Sequence, residues 1–120
     1  MTIPRGTDST IDITFTENGL PFNITGYTIL FTVKKQCDLA KDDTFALISK
    51  DVTTHTDPTQ GKSQLILTNE DTDIDQGNYY WDIRLIKDGT ISQTSRGEIE
   101  ITQTVTKRNI GTPASKKEII

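Results

Sequence analysis

The densest run of ligand-type side chains in this 120-residue sequence is Asp71-Thr72-Asp73-Ile74-Asp75, with Asp82 further on. Carboxylates at positions one, three, five and twelve are the spacing with which an EF-hand loop surrounds calcium with oxygen. The match fails at two places. Position six is Gln76, where the sharp turn needs glycine, and position twelve is an aspartate, shorter than the glutamate that supplies two oxygens there. The flanks also alternate as strands do, so an EF-hand is excluded. A looser calcium loop on Asp71, Asp73 and Asp75 is the chemical reading. A capped turn, in which the aspartates accept hydrogen bonds from backbone amides, is the structural one. The capped turn is the expectation, so no metal and no cofactor is assigned.

Two other residues could do chemistry. Cys37 and His55 are the only cysteine and the only histidine. A nucleophilic thiol needs a base and a positive environment. Asp38, Asp42 and Asp43 surround Cys37 with the opposite charge, and no motif ties it to His55. His55 lies in the polar run Thr53-Thr54-His55-Thr56-Asp57 and is expected in an exposed loop. Tyr27, Tyr80 and Trp81 could form a platform for a sugar ring. However, alternation places Trp81 with Ile83 and Leu85 on a core face, and only Tyr80 faces outward with Arg84. No acid–base pair, nucleophile constellation or phosphate loop appears, so the chain is expected not to be an enzyme, with no catalytic residues.

The elements that would position these residues are strands. Ile11, Ile13 and Phe15 alternate with polar residues, as do Ile29, Phe31 and Val33, and Tyr79, Trp81, Ile83 and Leu85. Further strands are expected over Phe45 to Val52, Ser63 to Leu67 and Thr90 to Thr106, with Gly97 as a bulge or bend. The first ten residues read as a leading arm, and 36–46 as a loop. Asn18-Gly19 and Asp88-Gly89 are hairpin turns. Asp75-Gln76-Gly77-Asn78-Tyr79 reads as the tyrosine corner with which sandwiches lock a crossing loop, giving Asp75, Gly77, Tyr79 and Trp81 structural roles. About seven strands with turns every 8 to 12 residues imply an all-β, immunoglobulin-like antiparallel β-sandwich with Greek-key connections. The sandwich is expected over residues 1–106. A flexible or partner-docking C-terminal tail follows over 107–120. The expected core is Ile11, Ile13, Phe15, Ile29, Phe31, Val33, Leu65, Leu67, Tyr79, Trp81, Ile83, Ile99 and Ile101.

Composition narrows the function. The hydrophobic fraction is 32% and the formal net charge is −4. Nucleic-acid backbones call for a basic face, and the basic clusters Lys34-Lys35, Lys107-Arg108 and Lys116-Lys117 are short, so no nucleic-acid partner is expected. One cysteine allows no intrachain disulfide. With no apolar leader and no membrane-spanning run, the expectation is folding in a cytoplasm and no membrane partner.

Four segments resemble one family. Arg5-Gly6-Thr7-Asp8 leads into Ile11-Asp12-Ile13-Thr14-Phe15. Asn18-Gly19-Leu20-Pro21-Phe22-Asn23-Ile24-Thr25-Gly26-Tyr27 steps into the next strand. Asp71-Thr72 precedes Gly77-Asn78-Tyr79-Tyr80-Trp81-Asp82-Ile83. Arg96-Gly97-Glu98-Ile99-Glu100-Ile101 forms the last strand. In order and spacing, across roughly residues 4 to 106, the chain resembles the immunoglobulin-like N-terminal domain of phage baseplate upper proteins and related phage tail and head-fibre domains. Such members are often the anchor of a longer chain with a shaft and a receptor-binding tip. Here the sequence stops soon after the domain, which favours an adaptor, decoration or fibre-base protein.

The resemblance implies a virion structural protein of a baseplate, fibre base, tail adaptor or capsid surface, assembled in the host cytoplasm. Its partners would be other virion proteins and copies of itself, as a homo-oligomer. The alternative reading is a carbohydrate- or host-surface-binding sandwich module. It predicts an exposed aromatic or calcium-lined loop.

Overall fold

A computed structural model describes residues 1–105. It contains nine strands: β1 (Thr2–Pro4), β2 (Ser9–Thr14), β3 (Thr16–Glu17), β4 (Leu20–Pro21), β5 (Thr28–Lys34), β6 (Ile48–Val52), β7 (Lys62–Leu67), β8 (Gly77–Lys87) and β9 (Thr90–Thr102). The large sheet has the order β1-β9-β8-β5-β6, and the facing layer is the pair β2-β7. β3 and β4 form a small ribbon closed by Asn18 and Gly19, both at positive φ. The path visits the small layer at β2, the large at β5 and β6, the small again at β7, and the large at β8 and β9. This is Greek-key connectivity. A strand in the β6 position, beside β5, is the feature that variable-type immunoglobulin sheets add.

The strands form where period-two patterns meet. Ile29, Phe31 and Val33 on β5 stand opposite Leu85, Ile83 and Trp81 on β8. Tyr79 on β8 stands opposite Ile99 on β9. From the other layer come Leu65 and Leu67, with Ile24, Ile48 and Ile3 closing the margins of the core. Asp88 and Gly89, at φ 52° and 77°, turn β8 into β9. That left-handed pair is the hairpin geometry that Asp-Gly favours.

Several expectations need correction. The sandwich is not wholly antiparallel, because β1 pairs with β9 in parallel, Ile3 opposite Ile101. The leading arm is therefore part of the sheet. Ile11, Ile13 and Trp81 are only half-buried and pack against the core from its side. The reason is width: two strands cannot cover the inner face of five. Gly97 is not a bulge. The register slips instead at Leu85/Ile86, while Gly97 pairs directly with Trp81. The strand expected from Phe45 begins at Ile48, and 36–46 holds two 3-10 turns, Gln36–Asp38 and Asp43–Phe45. The last strand stops at Thr102. The tail expected over 107–120 lies outside the described residues. Among those described, no helix is long and apolar enough to cross a membrane.

Candidate functional site

The corner forms as its residue types require. The Tyr79 hydroxyl donates to the Asp75 carbonyl at 2.5 Å, four residues upstream. Gly77 between them has φ 152°, and its Cα side faces the Tyr79 ring. Tyr79 itself is buried, so the hydrogen bond ties the loop that arrives from β7 to the core.

The aspartates preceding the corner are engaged by cations, and not by the same one. Asp71 accepts the Thr68 amide at 2.7 Å and the Thr68 hydroxyl at 3.0 Å. Its carboxylate also meets Lys50 Nζ at 2.8 Å. Burial alone would push the Asp71 carboxyl up. Lys50 and the Thr68 donors outweigh it and hold the group below the ordinary carboxylate value. Asp73 and Asp75 turn the other way, to Arg5, at 2.9 Å and 3.4 Å. Buried Thr72 donates to the Thr7 carbonyl at 2.7 Å, and the Asn69 amide donates to Asp8 at 2.8 Å. The segment is thus a clasp between β7, β8 and the chain before β2. Among the described residues no group of three or more metal-ligating side chains converges.

His55 is half-buried, not in an exposed loop. Its Nε2 is 2.7 Å from the Tyr27 carbonyl and its Nδ1 is 2.9 Å from Ser63 Oγ. A carbonyl only accepts, so Nε2 carries the proton. In the neutral ring Nδ1 then accepts from the buried Ser63 hydroxyl. Cys37 is exposed and is not among the His55 partners. The thiol sits beside Asp38. Lys41 first of all, with Cys37 and Lys35 adding to it, holds that carboxyl below its usual value.

Tyr27, Tyr80 and Trp81 do not share a platform. Tyr27 packs edge-on against Phe22, with ring centroids 5.7 Å apart. Trp81 stacks on Phe31 at 6.3 Å. Tyr80 lies on the outer face of the large sheet, in an open cleft of about 750 Å³ with Leu30, Asp82, Arg84 and Arg96, overhung by Leu39. The overhang is fastened by Lys34, whose Nζ meets the Lys41 carbonyl at 2.7 Å and Asp43 at 3.1 Å. Thr44 donates to Asp42 through its hydroxyl and, at 3.0 Å, its amide.

A second cleft, of about 430 Å³, opens at the side of the sandwich. It is lined by consecutive residues, 11–16 on one wall and 93–95 on the other, with Phe31, Leu65, Trp81 and Ile83 as its floor and Met1 beside them. A strand viewed on its face offers alternate residues. Consecutive lining residues mean that two strand edges, of β2 and β9, border the opening. Sequence reasoning missed Arg5, Lys50 and Ser63 as partners, and missed this cleft. Its only sequence signal is the polar pair Gln93 and Ser95 at inward positions of β9.

Layer order, parallel β1–β9 pairing and the corner define an immunoglobulin-like sandwich whose exposed features are strand edges and clefts. The chain belongs to the BppU N-terminal domain family, whose model matches residues 5–99. That family is the N-terminal domain of phage baseplate upper proteins, so this is a phage baseplate-related structural domain of a virion. No curated protein sequence matches the chain. Among solved structures it is similar to the NK cell receptor Nkp44, described as a triggering partner in natural cytotoxicity. The identity is 15% and the TM-score 0.47, covering 84% of this chain and 96% of that one.

Proposed function

We propose that this domain is a non-catalytic assembly module, which takes its place in a baseplate, fibre base, tail adaptor or capsid surface by packing strand edges and loops against neighbours. The family match over residues 5–99 carries the reading. The neighbours are other virion proteins and further copies of the chain, met as particles form in the host cytoplasm. Residues 107–120 act as the docking arm. The clasp at Asp71, Asp73 and Asp75 and the corner at Gly77, Tyr79 and Trp81 hold the fold and contact no ligand. Mass spectrometry of purified particles tests the reading: the chain should be present in stoichiometric amount, and its absence would sink the proposal.

A carbohydrate-binding role is favoured by one observation, the outer cleft beside Tyr80 with Arg84, Arg96 and Asp82 on its walls. Hydroxyl-rich ligands suit such mixed walls. A glycan array probed with the chain and with Tyr80→Ala decides it: binding lost in the variant supports the role, and a blank array removes it.

A further inference from the structure

The side of the sandwich between β2 and β9 is unfinished. β9 has thirteen residues, of which β1 covers only Glu100, Ile101 and Thr102. The Glu100 amide donates outward to the Met1 carbonyl, and the Thr102 carbonyl accepts outward from the Arg5 amide. Backbone groups alternate along a strand, and the register of β9 is regular from Gln93 to Ile101. The amides and carbonyls of Thr94, Arg96 and Glu98 therefore point the same way, past the end of β1, and among the described residues no strand lies beside them. Among the described residues β2 pairs only with β7, which leaves its other edge without a strand as well. Edges of this kind are usually blunted by proline, lysine or a bulge. From Gln93 to Thr102 there is no proline and no lysine, the bulge lies before that stretch, and the charged residues Arg96, Glu98 and Glu100 alternate to the outer face of the sheet and leave the cleft side clear. Between the two edges the apolar floor is half-exposed at Ile11, Ile13 and Trp81.

We propose that this cleft accepts residues 106–120 of a second copy of the chain as an added strand. The proposal rests on the assembly reading and supplies its acceptor site. Three observations choose the occupant. The first is charge. Residues 106–120 carry Lys107, Arg108, Lys116 and Lys117 against Glu118, in a chain that is −4 overall, so the rest of the chain is more negative still. Asp12 is the one charged side chain that lines the cleft, while Arg96 and Glu98 belong to the outer face of the sheet.

The second is reach. The segment outnumbers the residues of β9, and extended it spans roughly 50 Å at about 3.3 Å per residue. It brings Ile110, Ile119 and Ile120 to an apolar floor. The third is path. β9 leads out at Thr102, and β1 occupies the same edge between that end and the cleft. The chain's own continuation would have to cross β1, and connections avoid crossing on one edge. A neighbouring copy meets no such barrier. Added-strand binding takes affinity from main-chain hydrogen bonds and specificity from alternate side chains in pockets, which is what the two open edges and the floor offer.

Sedimentation of the purified full chain tests this, alongside Ser95→Arg. Ser95 is exposed on the cleft wall, so the variant fills the opening and adds a charge that repels a basic segment without removing core. The full chain should self-associate with concentration. Ser95→Arg should weaken association by about tenfold or more, and removal of residues 106–120 should abolish it. A synthetic peptide of residues 106–120 should bind the shortened chain and not its Ser95→Arg form. A full chain that stays monomeric, or an oligomer indifferent to Ser95→Arg, would overturn the proposal. So would a monomer whose melting temperature falls when 106–120 is removed, since that places the segment in its own cleft. A monomeric chain still found in particles would defeat the cleft and leave the assembly reading intact, whereas an oligomer absent from particles would do the reverse.

Discussion

Gly97 on β9 lies directly opposite Trp81 on β8, and the indole ring covers the place where a side chain at 97 would begin. A Cβ built there meets Trp81 Cζ2 at 2.7 Å. The glycine is required by this close approach and not by a bend. It lets the ring lie flat between Phe31 and the last strand. Gly97→Ala should therefore destabilise the fold by about 1–3 kcal/mol through overpacking. Chemical denaturation measures it, and the fluorescence of the single tryptophan should shift as the ring is displaced. Unchanged stability and emission would show that the ring has room to move.

Tyr79→Phe keeps the buried ring and removes only the donor to the Asp75 carbonyl. The expected loss is about 1 kcal/mol. Amide exchange should rise at Asp75 to Asn78 more than in the centre of β8, because the hydroxyl holds the loop and the ladder holds the strand.

His55→Ala should cost about 1–2 kcal/mol, since the buried Ser63 hydroxyl then loses its partner. The double variant with Ser63→Ala should recover part of that loss in thermal melting. If the two losses simply add, the hydrogen bond between them is not what stabilises the loop.

Asp71→Asn removes the charge that Lys50 faces and should cost about 1 kcal/mol at neutral pH. The folded-state pKa of Asp71 is lowered. Its contribution is therefore complete above the unfolded value near about 4 and disappears as pH falls through the lower folded value. The stability difference between the native chain and Asp71→Asn should shrink below about pH 4. A difference that persists under strong acid would assign it to shape and not to charge.

Millimolar calcium should leave the melting temperature unchanged, because Lys50 holds Asp71 and Arg5 holds Asp73 and Asp75. A rise would show that the ion displaces these cations and gathers the three carboxylates. Arg5→Ala, which frees two of them, is the variant in which such a rise would be largest.

The strands of this protein, its turns and its corner are legible in the sequence because each is a local pattern. Period-two alternation marks β2, β5 and β8, Asn18-Gly19 and Asp88-Gly89 set the hairpins, and five residues make the Tyr79 corner. Most of the core follows from the same alternation. Pairing across the chain is different in kind. β1 joins β9 in parallel almost a hundred residues away, β2 finds β7, and Arg5 meets Asp73, because whole layers approach one another and not because of anything in their neighbours in sequence. The half-exposure of Ile11, Ile13 and Trp81 has the same origin. Alternation tells which face of a strand is apolar. Only the width of the layer opposite decides whether that face is covered, and here two strands face five.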